Sequence, residues 1–301
     1  MRPPLTAATA AALAICILTA DPVRAQNTWA FQPPTDDFSG ASLLDLRYLN
    51  EHTAGENGFV QLDGNGGLAL GDGTPVRFWC ISSDYAEGGA SLTDVEHHNR
   101  WLAKRGVNMV RFHGDFTGGA NPMNISNTAE RDALFKQVAA GKKHGVYTCL
   151  SLWFVLPCKA QSSWNIEGYD NEIVFALLFF NEKLQRYYKS WARQVLTTVN
   201  PHTGLTLARD PALAIVEFIN EDSFLFGTMD NIKDPQRAIL QKIFADWLID
   251  KYGTLESAIA SWGNTPHPHD DMAGGEIYLL PLSSLCGRQP GDRDKRLQDQ
   301  L

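Results

Sequence analysis

The run Ala214-Ile215-Val216-Glu217-Phe218-Ile219-Asn220-Glu221 sets an amide and a carboxylate side by side at the end of an apolar, strand-like stretch. The Asn-Glu dipeptide itself is weak evidence, since it recurs at Asn50, Asn171, Asn181 and Asn220, and only the last closes such a stretch. A carboxylic acid partly withdrawn from water at a strand end titrates nearer neutrality and can protonate a leaving oxygen. The neighbouring amide can hold a substrate hydroxyl. The plainer alternative is a polar cluster that caps a following helix. Glu217 shares a face with Glu221 by period two, and Arg111 lies in a second strand-like run, Asn108-Met109-Val110-Arg111-Phe112. A buried Arg111–Glu217 ion pair is therefore expected. His113 closes that second run, where it would either touch a ligand or stand behind it as a hydrogen-bonded histidine. The run His267-Pro268-His269-Asp270-Asp271 has metal-binding residue types, but no helix presents both histidines on one face, so a solvated loop is expected and no metal.

These groups need strands that all end at one rim. Phe59 to Leu62 and Leu68 to Leu70, with the turn Gly71-Asp72-Gly73, read as a β-hairpin, and Pro75 to Ile81 as a further strand. Helix and strand then alternate. Leu92–Arg105 is expected to be helical and Asn108–Phe112 a strand; Thr128–His144 is a helix capped by Thr128, and Val146–Leu156 a strand. Asn181–Val199 is helical, Ala212–Ile219 a strand, and Pro235–Tyr252 and Leu255–Trp262 are helical. Strands alternating with helices mean parallel βαβ units and an α/β fold. A G-x-G-x-x-G run after the first strand, a P-loop, HExxH and G-x-S-x-G are all absent, which removes the markers of dinucleotide, nucleotide, zinc-protease and serine-esterase chemistry.

Composition narrows the partners. The balance of 26 Lys+Arg against 34 Asp+Glu gives a net charge of −8, and no basic run accompanies it. Nucleic acid and anionic membrane surfaces are thus excluded as expected partners. Residues 1–25 read as a signal peptide: Arg2 is positive, Thr6 to Ala20 is apolar, and Val23-Arg24-Ala25 offers a cleavage site before Gln26. The apolar run is shorter than the roughly 20 residues of a membrane span, so a secreted or periplasmic protein is expected. Of the remaining cysteines, Cys80 and Cys149 are expected to be buried thiols, Cys286 has no evident partner, and a Cys149–Cys158 bridge stays open.

Several stretches carry a family resemblance. Asn200-Pro201-His202-Thr203-Gly204, Asp210-Pro211-Ala212-Leu213-Ala214 and Glu217-Phe218-Ile219-Asn220-Glu221 together resemble the fourth-strand region of clan A glycoside hydrolases, most closely the cellulase-like family 5 enzymes that include endo-mannanases. Asn108 to His113 is similar to the clan's second strand, Gly73 to Trp79 to its first, and Tyr252 to Gly263 to a helix and loop of family 5 and β-galactosidase-like members. The resemblance implies a (β/α)8 TIM barrel, a carbohydrate substrate and no cofactor. It implies Glu221 as general acid/base, Asn220 as the ligand of a sugar 2-hydroxyl, and Arg111 beneath the nucleophile. His113 would contact substrate, and Trp153 and Trp164 would either stack on sugar or anchor the core. Cys80 and Ser82 depart from the family's Gly and Asn at the first strand end.

The resemblance implies a nucleophilic Glu ending a seventh strand, which this chain lacks. Four βα units occupy Pro75 to Trp262 and only residues 263–301 remain, against roughly 250 residues in a typical barrel. Glu276 begins the strand-like run Gly274–Leu280 instead of ending one. The expected organisation is a leader (1–25), an N-terminal arm (26–57), a partial barrel with its hairpin, truncated after about four to five βα units (58–286), and a polar tail without ordered structure (287–301). The expected activity is a retaining attack on a β-linked glycan, mannan or glucan first. The alternative is a carbohydrate-binding or inactive remnant of such an enzyme.

Overall fold

A computed structural model describes residues 35–40, 42, 44–225, 227–281 and 295–301. The leader expected over residues 1–25 and Cys286 lie outside these residues. The chain divides into two units, Met1–Ser39 and Gly40–Leu301. In residues 35–39 of the first, the Phe38 amide donates to Asp36 Oδ1 at 2.8 Å and Phe38 itself is left-handed, φ +55°.

In the second unit, β1 (Gln61–Leu62), β2 (Leu68–Ala69) and β3 (Pro75–Val76) make an antiparallel sheet. The stretch Pro75–Ile81, expected to be one strand, divides in two. Its start pairs with β2, whereas β4 (Cys80–Ser82) joins a parallel sheet. Asn108 makes the division: its Oδ1 accepts from the Trp79 amide at 2.7 Å and its Nδ2 donates to the Arg77 carbonyl at 2.9 Å. That side chain supplies the two backbone groups between the strands with partners.

The parallel sheet runs β4, β5 (Met109–His113), β6 (Tyr147–Ser151), β9 (Leu213–Glu217), in the order of the sequence. Parallel neighbours need long crossovers. The helices α1 (Leu92–Lys104), α2 (Thr128–Lys143) and α3 (Glu182–Thr197) supply them. Val95 of α1, Leu134 and Val138 of α2 and Val195 of α3, all fully buried, share one core cluster with Phe112 and Leu150 of the sheet. The helix starts follow their caps. Ser91 and Asp94 form a reciprocal capping box on α1. Asn127, not the expected Thr128, caps α2 by accepting from the Glu130 amide at 3.1 Å. Between α1 and α2 the amides of Asn99 and Gln137 are buried and bonded to each other at 3.0 and 3.2 Å, so neither is left unsatisfied.

The arm is described without a break from residue 44. It runs past the ends of α1 and α2: Leu46 donates to the Lys104 carbonyl, and Ala54 to that of Lys142. Gly145 ends α2 at φ +69°, and a Cβ there would sit 2.0 Å from the Glu51 carbonyl oxygen, so only glycine permits this approach. Between β6 and α3 lies a small antiparallel pair, β7 (Lys159–Ala160) and β8 (Glu172–Ile173). Beyond β9 come α4 (Gln236–Tyr252), α5 (Leu255–Ser261) and α6 (Lys295–Gln300).

Part of the tail, expected to be without structure, is therefore helical. Polar anchors supply what its apolar-poor composition hides. Arg296 donates twice to Asp270, at 2.8 and 2.6 Å, and Asp299 accepts from Lys251 at 2.6 Å and from Tyr252 and Trp262 at 2.7 Å. Asp270, part of the run considered for metal, is thereby taken up by a guanidinium. Among the described residues no helix is long and apolar enough to cross a membrane.

Two expectations follow. Asp299→Ala removes one acceptor from three donors and should cost about 2 kcal/mol, read as a lower urea midpoint with an unchanged slope. Burial, reinforced by the Glu87 charge, pushes the Glu130 carboxyl up to about 7. A folded-state value above the unfolded one means that stability is complete below about pH 4 and falls as pH rises towards 7. Glu130→Gln should therefore raise the thermal midpoint at pH 8 and leave it unchanged at pH 4; equal gains at both would contradict this assignment.

Candidate active site

The strand register assembles the site. Ser82 pairs with Arg111 and Arg111 with Cys149, while Cys149 pairs with Ile215, so these four side chains share a face. One step towards the carboxyl ends, His113, Ser151 and Glu217 form the next row on that face. The pairing continues past the strands as a bridge between Phe154 and Asn220, with the Asn220 amide donating to the Trp153 carbonyl at 3.0 Å.

Arg111 is the centre of this group. One terminal guanidinium nitrogen donates both to Glu217 Oε2 and, at 2.8 Å, to Asn220 Oδ1. The expected ion pair is thus present, though half-buried instead of buried: the side chains of Arg111 and Glu217 are 28% and 32% exposed. An arginine only donates, so the Asn220 carbonyl must face it and the Asn220 NH2 must face away. Asn220 is buried, so its amide orientation is fixed by this one contact. The helix-cap alternative fails, because the Asn220 side chain bonds to Arg111 and, among the described residues, no α-helix begins between Asn220 and Gln236.

Glu221 follows in a left-handed conformation, φ +52°, and is exposed. A non-glycine residue there is strained by about 1 kcal/mol or more. The turn directs the chain away from the strand, so Glu221 leaves the period-two alternation that put it in line with Glu217. Its exposure also means that the partial desolvation expected of it is not provided by the described residues. His113 lies close enough to feel Arg111, Glu217 and Glu221; burial first, and then the Arg111 charge, hold its imidazole below the ordinary histidine range. Its Nδ1 is buried without a partner, as is the hydroxyl of Ser151 in the same row. Ser82, Ser83, Asp84, Arg111 and His113 line a cleft of about 280 Å³.

The two tryptophans fall elsewhere. Trp153 and Trp164 are 2% and 0% exposed, which removes both as substrate platforms. Trp153 stacks on Trp191 of α3, ring centroids 6.1 Å apart, and Trp164 lies 5.4 Å from the same ring. The Trp153 indole donates to Asp222 Oδ2 at 3.2 Å, while Asp222 Oδ1 accepts from the Ala176 amide at 2.8 Å. Asp222, which the sequence reading passed over, thus ties the chain just after Glu221 to the aromatic core, and burial pushes its carboxyl up. Its position beside the Asn-Glu pair was the available signal.

Cys80 is exposed because β4 lies at the edge of the sheet, against the expectation of a buried thiol; Cys149 is buried as expected. The thiols of Cys149 and Cys158 are both free. Glu276 sits in a tight turn bridged to Asp271, next to Ile277, whose amide donates to Gln241 of α4 at 3.4 Å. A larger, mainly apolar cleft of about 520 Å³ runs along α4 past Phe224, Phe244 and Trp247 and includes none of Arg111, Glu217 and Glu221.

No family model matches the chain. It is 30% identical over 181 residues to mannan endo-1,4-beta-mannosidase 2 of Arabidopsis thaliana, covering 56% of this chain and 42% of that protein. It is 27% identical over 238 residues to mannan endo-1,4-beta-mannosidase 5 of the same plant, covering 72% of this chain and 50% of that one. Two solved structures from Rhizomucor miehei are similar at 14% identity. An endo-1,4-beta-mannanase has a TM-score of 0.43 over 73% of this chain and 66% of that one. A glycoside hydrolase family 5 mannosidase has 0.44 over 66% and 53%. The chain spans half or less of the length of the curated relatives it matches. The resemblance to endo-mannanases read across Gly58 to Gly263 stands in these matches.

The Arg111 charge holds His113 down, and Glu217 and Glu221 act in the opposite sense. Arg111→Met should therefore raise the His113 pKa, measured by NMR titration of the imidazole. An unchanged value would mean that the two side chains are not neighbours.

Proposed function

We propose that the chain carries the acid/base end of a secreted, retaining glycoside hydrolase acting on a β-linked polysaccharide, with β-mannan the first substrate to try. The observation that carries this reading is the Arg111 guanidinium bonded to Glu217 and Asn220 at the carboxyl ends of β5 and β9, with exposed, left-handed Glu221 next in the chain. The similarity to endo-mannosidases supports the choice of glycan. The reading takes β4, β5, β6 and β9 as the first four strands of a closed barrel. Their unreversed order supports this, since doubly wound sheets reverse direction at a switch point and barrels place active sites at the carboxyl ends of their strands.

In the first step the Glu221 carboxyl gives its proton to the glycosidic oxygen as the bond to the anomeric carbon breaks and a second carboxylate attacks that carbon. In the second, Glu221 as carboxylate takes a proton from water, and the water oxygen displaces the enzyme carboxylate to leave the sugar with its original anomeric configuration. A glycan lying over the cleft would supply the desolvation that exposed Glu221 lacks on its own. Asn220, its NH2 turned away from Arg111, donates to a sugar hydroxyl. His113, its imidazole held below the ordinary histidine range by burial, offers a second polar contact. Arg111 keeps its other terminal nitrogen for the attacking carboxylate. That second carboxylate is assigned to no residue of this chain: Glu217 is held by Arg111, and Glu276 belongs to the turn beside α4. The leader-like residues 1–25 support export.

The test is Glu221→Gln on two kinds of substrate, made in protein that also supplies the attacking carboxylate this chain does not assign. Turnover of β-mannan should fall about 100- to 10,000-fold, and turnover of aryl β-mannosides with good leaving groups far less, because those need little acid assistance. Equal losses on both would remove Glu221 from the acid role. A parent protein that binds β-mannan without hydrolysing it would favour the carbohydrate-binding alternative.

A further inference from the structure

Tyr85 follows directly on Ser82, Ser83 and Asp84, three of the residues that line the cleft with Arg111 and His113. Its ring lies parallel to that of His98, with centroids 4.3 Å apart and 9° between the planes. His98 in turn lies 11° from the plane of Trp101, at 6.2 Å, and the Arg105 guanidinium covers Trp101 at 3.5 Å from the ring centroid. Residues 98 and 101 are one turn apart on α1 and Arg105 one further turn on, so four flat groups form a pile along one face of that helix. Ser83 locks its upper end: its hydroxyl accepts from the Tyr85 amide at 3.4 Å and lies 3.2 Å from His98 Nε2.

A lone exposed aromatic on a protein surface is ordinary. Tyr85 differs because its orientation is set from behind. His98 occupies one face of the ring while the residue remains 45% exposed, so the opposite face is the accessible one. A ring already held in place loses little freedom when a ligand settles on it, which favours binding. The groups around it match a pyranose: an apolar, electron-rich face for the C–H groups of one sugar face, and Ser82, Ser83 and Asp84 alongside for its hydroxyls.

We propose that Tyr85 is a stacking platform for a pyranose ring, which extends the glycan site from the Arg111–His113 cleft onto the connection between β4 and α1. The assignment rests on the glycan reading above. His98, Trp101 and Arg105 act as positioning residues that hold the platform's angle and touch no sugar.

The experiment is affinity electrophoresis of the 301-residue protein through soluble β-mannan and mixed-linkage β-glucan, with Tyr85→Ala and Tyr85→Phe run beside it. Tyr85→Ala should weaken binding about tenfold, the loss of one stacking contact. Tyr85→Phe keeps the ring and should stay within about threefold of the parent. Equal thermal midpoints for the three proteins show that the fold is intact. If the parent is retarded and Tyr85→Ala is retarded equally, the platform is wrong and the glycan reading survives. A loss shared equally by Tyr85→Phe would assign the contact to the hydroxyl and overturn stacking. A parent retarded by neither polymer overturns both readings.

Discussion

The bond pattern of Arg111 is the constraint on which the site depends. Glu217 and Asn220 lie on either side of the point where β9 ends, and one guanidinium nitrogen on β5 holds both. That contact exists only if β5, β6 and β9 keep a register that places Arg111 opposite Cys149, and Glu217 opposite Ser151. A slip of one residue would turn Arg111 to the helix-covered face and leave its charge among Val110, Phe112 and Leu150. With both side chains about one-third exposed, the pair contributes modestly to stability. Its value lies in specification: a group that only donates fixes the direction of an amide that could otherwise flip.

The end of β9 is held from the other side by a dry cluster. Trp153, Trp164 and Trp191 pack together beneath the β6–α3 connection, and Asp222 joins that cluster to the residue after Glu221. Glu221 is therefore trapped between two fixed neighbours, Asn220 on Arg111 and Asp222 on Trp153. A left-handed φ at a glutamate persists only where its surroundings over-determine it, and these two anchors provide that. The tryptophans serve the site through packing, since burial leaves them no free ring face for a ligand.

The C-terminal stretch makes the complementary point about polar composition. Residues 295–300 have few apolar side chains, yet α6 is seated by Arg296 on Asp270 and by Asp299 on three donors. Charge-assisted bonds to carboxylates shielded from water can dock a short helix where apolar area is scarce. Such seating depends on partners distant in the chain and leaves no periodic mark in the helix itself.

By itself the sequence determined the α/β alternation, the three crossover helices to within a residue or two, and the identity of the strand ends that carry Arg111, His113, Asn220 and Glu221. These are local properties: apolar periodicity, capping residues such as Ser91 and Asn181, and glycines such as Gly145 act over a few residues. Tertiary structure decided the rest, because it turned on groups distant in the chain. The division of Pro75–Ile81 needed the Asn108 side chain, the exposure of Cys80 followed from β4 being an edge strand, and Trp153 and Trp164 were claimed by Trp191. Glu221 shows the limit most clearly. Strand alternation put it in line with Glu217, but the bonds of Asn220 and Asp222 turned the backbone left-handed and set its carboxylate in water.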